Sequence, residues 1–165
     1  MAKNSAKKSS ATSKAPELFT IGYEKAKPDS LLAELTRAKV KLLVDTRAVA
    51  ASRRPGFSKR QLAASLDEKG IAYIHLQKLG TPTAGRDAAR SGDLEALWRI
   101  YAKHLKTEGA KAEMAELIAL VEGGKRVCLL CYERDVGHCH RSKIAEIVTE
   151  HTGARVTDLA PPLLD

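Results

Sequence analysis

Short apolar runs that alternate with amphipathic segments constrain the fold of this chain more than any other feature. The runs have the length of strands, and one with little polar alternation, residues 41–47, predicts a strand buried on both faces. The segments between the runs carry apolar side chains three or four positions apart, which is typical of helices that cover a core. The predicted strands are residues 18–22, 41–47, 71–76, 126–132 and 155–159.

Strands that alternate with helices predict right-handed crossovers and therefore a mostly parallel sheet. The 165 residues suffice for one well-packed core and are too few for two. We therefore expect a single three-layer α/β domain over residues 17–165, in which helices cover a sheet of about five strands. No apolar run approaches the ~20 residues that a membrane-spanning helix requires, so we expect no membrane partner.

Residues 1–16 are rich in lysine, serine, alanine and threonine, which predicts a disordered basic tail. No apolar stretch follows its lysines, as a secretory signal would require. The tail holds four of the eight formal positive charges, on Lys3, Lys7, Lys8 and Lys14. The remaining excess favours an anionic partner, either a small molecule or nucleic acid, although solvated surface lysines explain it equally well.

The three cysteines, Cys128, Cys131 and Cys139, lie within twelve positions of one another. An odd number of cysteines without a signal sequence argues for a reducing, cytoplasmic location rather than for a disulfide scaffold. Cys128 lies inside an apolar strand and is expected to be a small core residue.

Local signals predict where several helices begin and end. The Ser-x-x-Gln sequence at Ser58 has the form of a capping box, and Gly70 is expected to end that helix. Residues 80–92 are polar and predict a loop. Asp93 is then expected to cap the next helix, whose apolar stripe includes Trp98 as a core residue.

Polar residues follow the predicted strands at their carboxyl ends, where open parallel sheets bind ligands. Each has a structural explanation when it is taken alone, because Asp45 could simply pair with Arg47 and His75 could be a satisfied, half-buried histidine. Their coincidence at one edge predicts a binding site. The candidate substrate-binding residues are Tyr23, Asp45, Arg47, Arg53, Arg54, His75 and Arg141.

The segment 131–142 combines cysteine, glutamate, histidine and arginine with few apolar side chains. Cys139 and His140 stand at the start of a predicted helix, where free N–H groups stabilise an anion or a thiolate. His140 could transfer protons near neutral pH, with Glu133 as its partner or as the base. The structural alternative for Cys139 is a packed cysteine beside a helix start. The candidate catalytic residues are Cys131, Glu133, Cys139 and His140.

Zinc is a weaker interpretation of the same residue types. A structural zinc site usually draws pairs of ligands from two segments, whereas here neighbouring residues of one segment would have to wrap the ion. We therefore predict no cofactor and rank zinc below an anion or thiol site. The residues considered as ligands are Cys131, His138, Cys139 and His140.

Several motifs resemble the family called domain of unknown function 488. They are residues 20–23, 43–47, 53–57, 70–75 with 79–80, and 129–133 followed by 139–141. The resemblance spans residues 18–159 and implies an α/β fold with a pocket built from these motifs. Thr46 is a departure, since the family favours a branched apolar residue there.

A weaker likeness connects the chain with rhodaneses and cysteine phosphatases. It implies that Cys131 is a nucleophile and that Arg141 binds the anion, as in loops that cradle an anion around a cysteine. Two features oppose this likeness. The segment from Cys131 to Arg141 is longer than the phosphatase C-x5-R loop, and the charge of Glu133 would raise the pKa of the thiol.

The sequence therefore favours an enzyme, a cysteine-dependent hydrolase or transferase, that acts on a phosphate-bearing, nucleotide or nucleic-acid substrate. Forked hydrogen bonds from Arg47, Arg53, Arg54 and Arg141 would hold the anion. One alternative is a non-catalytic nucleic-acid-binding module, in which the tail grips phosphates and Phe57 stacks on a base. Another is a structural or interaction protein with unreactive cysteines.

Overall fold

A computed structural model describes residues 15–164, and within that range it contains five strands and six α-helices. Most of the predicted tail lies outside the described residues. The strands are β1 (Glu17–Gly22), β2 (Leu42–Asp45), β3 (Ala72–His75), β4 (Val127–Cys131) and β5 (Arg155–Leu159). The helices are α1 (Pro28–Arg37), α2 (Lys59–Glu68), α3 (Thr83–Arg90), α4 (Leu94–His104), α5 (Glu108–Glu122) and α6 (Arg141–Thr152).

The strands form one parallel sheet in the order β3-β2-β4-β1-β5, which confirms the predicted class. The chain leaves β2 toward one edge of the sheet and leaves β4 toward the other. The connections therefore diverge between β2 and β4, and such a switch point opens a crevice at the carboxyl ends of the strands. None of the helices within the described range is both long and apolar enough to cross a membrane.

Two hydrophobic clusters cover the two faces of the sheet. Along β4, Cys128 and Leu130 belong to the cluster that includes residues of α1 and α2, whereas Val127 and Leu129 belong to the cluster with α4, α5 and α6. This alternation follows from the pleat of a strand that is buried on both sides. Cys128 is fully buried, as predicted, and burial raises the pKa of its thiol.

Three of the local predictions can be compared with single residues. Gly70 has a left-handed φ of 70° after α2, and the Asp93 carboxylate accepts a hydrogen bond from the Ala96 N–H at 3.0 Å. Both predictions are confirmed. Trp98 differs from prediction, because it is only half-buried at the margin of its cluster, with the Lys143 ammonium 5.3 Å from its ring centre.

The capping box predicted at Ser58 is wrong. Helix α2 does begin after Ser58, but the hydroxyl donates to the Ser52 carbonyl at 3.1 Å and accepts from the Ser52 N–H at 3.0 Å. The Gln61 side-chain oxygen accepts from the Gly56 N–H at 2.8 Å. Both side chains thus fold the preceding loop instead of capping the helix.

The loop predicted for residues 80–92 is also wrong, because helix α3 lies within it. This helix is built from small and polar residues, so it lacks the apolar stripe that reveals a helix in sequence. Gly85 allows the Thr81 methyl group to pack closely on this helix. A Cβ there would lie 2.6 Å from the Thr81 methyl carbon and 3.6 Å from a methyl carbon of Leu97.

Gly22 ends β1 where the loop after β4 crosses it, and a Cβ at this position would overlap the backbone carbonyl of Glu133. We expect Gly22→Ala to lower the free energy of unfolding by about 3 kcal/mol, because backbone atoms must move. Gly109→Ala is the matched control, since Gly109 lies in a helix and faces only the flexible Lys78 side chain at 3.4 Å. It should be neutral or stabilising by up to about 1 kcal/mol. Urea denaturation measures both, and equal effects would contradict the expectation.

Candidate functional site

A cavity of about 140 Å³ opens at the carboxyl edge of the sheet. It adjoins a wider cavity of about 580 Å³, and the two share several lining residues. Among the predicted site residues, the smaller cavity is lined by Tyr23, Arg47, Cys131, Glu133 and His140. The structure therefore brings together residues from the ends of β1, β2 and β4, at the switch point of the sheet.

Arg47 forms a buried ion pair with Asp45. Its Nε and Nη2 donate to the two carboxylate oxygens at 2.9 and 2.7 Å, and Nη1 donates to the Phe57 carbonyl at 2.8 Å. The Tyr73 hydroxyl donates to the same carboxylate at 2.5 Å. Although burial opposes the charge, the hydrogen bonds and attraction of Asp45 raise the pKa of Arg47. Asp45 thus orients Arg47, and Arg47 fixes the edge of the cavity.

The side chains of His75 and Arg54 form hydrogen bonds with backbone carbonyls and do not line the cavity. Nε2 of His75 lies 2.7 Å from the Arg47 carbonyl, which can only accept, so this nitrogen carries the proton. Arg54 donates to the Tyr23 carbonyl at 2.7 Å and also to the Ala26 carbonyl. Both predicted substrate-binding residues therefore stabilise the loops around the cavity.

The neighbouring residues Arg53 and Phe57 have opposite environments. Arg53 is exposed on the loop, away from the residues that line the cavity. Phe57 is fully buried, and its ring stacks on that of Tyr23 with centroids 4.6 Å apart. The prediction that Phe57 stacks on a base is therefore wrong, because no face of this ring is free for a ligand.

Arg141 is the first residue of α6, and only 1% of it is exposed. Its Nη1 lies 2.9 Å from Sγ of Cys131 and also donates to the Glu133 carbonyl, while Nη2 donates to the Arg134 carbonyl at 3.1 Å. Burial lowers the pKa of Arg141. This guanidinium lies behind the cysteine rather than in the cavity, so it contacts the sulfur and not a ligand in the open space.

The sulfur atoms of Cys131 and Cys139 are bonded to each other. Each cysteine is only 1% exposed, and Cys131 lines the cavity. The sequence argued for reduced cysteines rather than for a disulfide scaffold, and the structure differs in that one disulfide joins two residues eight positions apart within one site. The two cysteines predicted as catalytic candidates therefore form one chemical unit.

His140 is buried, and its hydrogen bonds determine its tautomer. Nε2 lies 2.9 Å from the Thr46 carbonyl and 3.1 Å from the Thr46 hydroxyl oxygen, and because the carbonyl only accepts, Nε2 carries the proton. Nδ1 is left with a lone pair 3.9 Å from Sγ of Cys139. Burial lowers the pKa of His140 to about 4. At this pKa the buried ring is neutral near pH 7, which does not favour the predicted role of His140 in proton transfer.

Glu133 is the acid that faces the sulfur of Cys131. Its Oε2 lies 3.5 Å from Sγ of Cys131, and the residue lines both cavities. Burial raises the pKa of Glu133. A carboxyl that holds its proton nearer to neutral pH can act as a general acid, and it repels a neighbouring thiolate less than a permanently charged carboxylate does.

Three potential metal ligands also converge, since one donor atom each from Cys131, Cys139 and His140 lies within 4.8 Å of the others. Adjacency in sequence therefore does not keep these side chains apart, contrary to the reason given for ranking zinc low. In the bonded state, neither sulfur is the thiolate that zinc requires. His138 is outside this group, and its side chain is 62% exposed.

Arg86, on α3, is the residue that sequence reasoning missed. It lines both cavities, and its Nη2 donates to the Thr83 hydroxyl at 3.0 Å. Its Nε is buried and has no hydrogen-bond partner among residues 15–164. Arg86 is thus a cation with an unused donor at the cavity. The only signal in the sequence was its place in a short polar stretch that was taken as a loop.

The fold and the site define a class: a parallel α/β protein that carries a cysteine pair at the carboxyl edge of its sheet, beside a buried arginine and an acid. A family model described as "Domain of unknown function DUF488" matches residues 27–148, and the chain belongs to this family. No curated protein and no solved structure gave a significant match. The likeness to rhodaneses and cysteine phosphatases is not shown by these comparisons.

The neutral state of His140 makes stability depend on pH. The pKa of His140 in the folded chain, about 4, lies below the ordinary 6.5. Between pH 6.5 and 4, His140 is therefore protonated in the unfolded chain but stays neutral in the folded chain. We expect the wild-type free energy of unfolding to fall between pH 6.5 and 4 by about 2 to 3 kcal/mol more than that of His140→Gln. Glutamine keeps an N–H donor for Thr46 but does not titrate.

Urea denaturation at several pH values measures this difference. The matched control is His151→Gln, which removes an exposed histidine from the end of α6 and should retain the wild-type pH dependence. Parallel pH profiles for the wild type and His140→Gln would contradict the expected role of burial.

Proposed function

We propose that this chain is a cysteine-dependent enzyme, a hydrolase or transferase, whose reduced Cys131 attacks an anionic substrate bound at the carboxyl edge of the sheet. The observation that carries the proposal is the contact between Nη1 of Arg141 and Sγ of Cys131 at 2.9 Å. A guanidinium so close to a cysteine favours the thiolate, which is the nucleophilic form. Cys131 also lines a cavity, so a bound substrate can reach the sulfur.

Glu133 is proposed as the general acid. After the thiolate bonds to the electrophilic centre of the substrate, the bond to the leaving group breaks, and the leaving group needs a proton. The Glu133 carboxyl supplies this proton, since burial raises its pKa and Oε2 lies 3.5 Å from Sγ of Cys131. Water or an acceptor then takes the group from the sulfur. His140 takes no proton in this scheme and positions the segment that holds Cys139.

Arg86 is proposed to bind the anion, in place of the arginines that sequence reasoning favoured. Arg47 is engaged by Asp45, and Arg141 is engaged by loop carbonyls and the sulfur. Arg86 and Arg141 each have a buried Nε without a partner among residues 15–164, but Arg86 lines both cavities and Arg141 lines neither. The wider cavity adds apolar side chains, Leu94 and Leu97, beside Arg90 and His138. A substrate with an anionic group and an apolar or aromatic part fits this combination.

The first test concerns the thiolate. In the Cys128→Ala, Cys139→Ser background, only Cys131 can react, and its rate of alkylation by iodoacetamide as a function of pH reports its pKa. We expect a midpoint below the ~8.5 of an ordinary cysteine, and a rise of at least about one pH unit in Arg141→Gln, because the cation beside the sulfur is lost. Arg134→Gln is the control, since Arg134 lies in the same loop and donates to the Pro161 carbonyl.

An ordinary midpoint in the background protein would contradict an activated nucleophile. Circular dichroism identifies variants that fail to fold. If Arg141→Gln does not fold, Arg141→Lys replaces it. Lysine keeps the charge but loses the forked hydrogen bonds, so its midpoint should lie above that of the background protein.

The second test concerns the anion. Inorganic phosphate is the probe, and we expect it to slow alkylation of Cys131 in a saturable way, because a bound anion blocks the cavity and competes with thiolate formation. Arg86→Gln should lose this protection. Arg99→Gln, which removes an exposed arginine from α4, should keep it. Protection that is absent from the Cys128→Ala, Cys139→Ser background protein, or that survives when Arg86→Gln is added, would overturn the assignment of Arg86.

A further inference from the structure

We infer that Cys139 is a resolving cysteine, and that Cys131 is a site of reversible oxidation by hydroperoxides that ends in the Cys131–Cys139 disulfide. The inference rests on the proposed function in one respect, since both make Cys131 the reactive sulfur. Cys139 has no part in the proposed reaction, yet its sulfur is bonded to that of Cys131. A second cysteine in this position needs a chemical explanation of its own.

The surroundings of the two sulfurs differ, and the difference assigns their roles. Cys131 lines the cavity and receives the Arg141 contact at 2.9 Å, so a small oxidant in the cavity meets this sulfur, and in the reduced state the cation favours its thiolate. Cys139 is buried beside Nδ1 of His140 at 3.9 Å and is not among the residues that line either cavity. A reactive cysteine with a protected partner is the arrangement of a redox-sensing pair.

The reaction balances with a hydroperoxide as the oxidant. The Cys131 thiolate attacks the terminal oxygen, an S–O bond forms, the O–O bond breaks, and the alkoxide or hydroxide leaves and takes a proton from water. Cys139 then attacks the Cys131 sulfenic acid, an S–S bond forms, and hydroxide leaves with the Cys139 proton as water. Two thiols and one hydroperoxide thus give one disulfide, one alcohol or water, and one further water. A dithiol reductant reverses the oxidation.

The disulfide would stop the proposed enzyme without destroying it. Cys131 cannot act as a nucleophile while it is bonded to Cys139, and it is protected from further, irreversible oxidation to the sulfinic and sulfonic acids. Arg141 keeps its hydrogen bonds to the carbonyls of Glu133 and Arg134 in the bonded state.

The experiment uses the full chain with Cys128→Ala, reduced with dithiothreitol, freed of reductant and treated with hydrogen peroxide at one equivalent. Trypsin cleaves after Arg126, Arg134 and Arg141, so Cys131 and Cys139 fall on different peptides, and mass spectrometry detects the bond between them. We expect linked peptides, loss of both alkylatable thiols, and recovery of both on renewed reduction. Free thiols after this treatment would overturn the inference.

Two variants test the assigned roles. Cys139→Ser should still consume peroxide, but a sulfenic acid should accumulate on Cys131, be trapped by dimedone and proceed to the sulfinic acid. Cys131→Ser should consume peroxide at least about tenfold more slowly, because the activated thiolate is lost. Equal rates in the two variants would reverse or abolish the assignment.

The last measurement is the zinc content of the reduced protein. One tightly held zinc ion that protects both cysteines from peroxide would assign Cys131, Cys139 and His140 to a metal and overturn the inference. The failure of this inference is distinguishable from that of the proposed function. Phosphate protection without disulfide formation would support the proposed enzyme and contradict the redox pair. Disulfide formation without phosphate protection would support the redox pair and contradict the proposed anion site.

Discussion

The site depends on one buried guanidinium. Arg141 begins α6 and donates to two carbonyls of the loop that leaves β4, those of Glu133 and Arg134, while it also contacts the sulfur of Cys131. These contacts tie the end of the central strand, the loop and the next helix to one side chain. Removing a buried cation from partners of this kind leaves several polar groups without water or protein to bond them, which is costly. The same contacts of Arg141 therefore both position Cys131 and hold the loop in its folded conformation.

A second buried cation, Arg47, lines the cavity from the end of β2. The Arg47 guanidinium pairs with Asp45 and donates to the Phe57 carbonyl, and the Tyr73 hydroxyl donates a further hydrogen bond to the Asp45 carboxylate. A buried ion pair contributes little net stability, because desolvation opposes the attraction, but it fixes geometry when every donor and acceptor is used. The buried Nε atoms of Arg86 and Arg141 both lack a hydrogen-bond partner among residues 15–164, but only Arg86, from a helix outside both arginine clusters, lines the cavity.

The sequence predicted the sheet well, because the signals of a parallel α/β fold are local and repeated: apolar runs as long as a strand, amphipathic helices, and Gly70 at a helix end. It also predicted the edge of the sheet at which the polar residues meet. The sequence could not predict the roles of the arginines. An arginine that binds a ligand and one that binds backbone carbonyls cannot be told apart before the positions of their hydrogen-bond acceptors are known. Arg86 was missed for a related reason, since α3 packs through Gly85 and small side chains rather than through an apolar stripe.

Thr46 connects the end of β2 with the segment that holds Cys139 and His140. Its hydroxyl donates to the Leu130 carbonyl at 2.8 Å across the β2–β4 boundary, and both its hydroxyl oxygen and its carbonyl lie within hydrogen-bonding distance of the His140 ring. A branched apolar residue at this position would fill the same space but would leave the ring with the carbonyl alone. Because the Nε2 proton of His140 is used by Thr46, the remaining lone pair on Nδ1 must face Cys139. The end of β2 thereby fixes the polarity of the environment around the sulfur of Cys139.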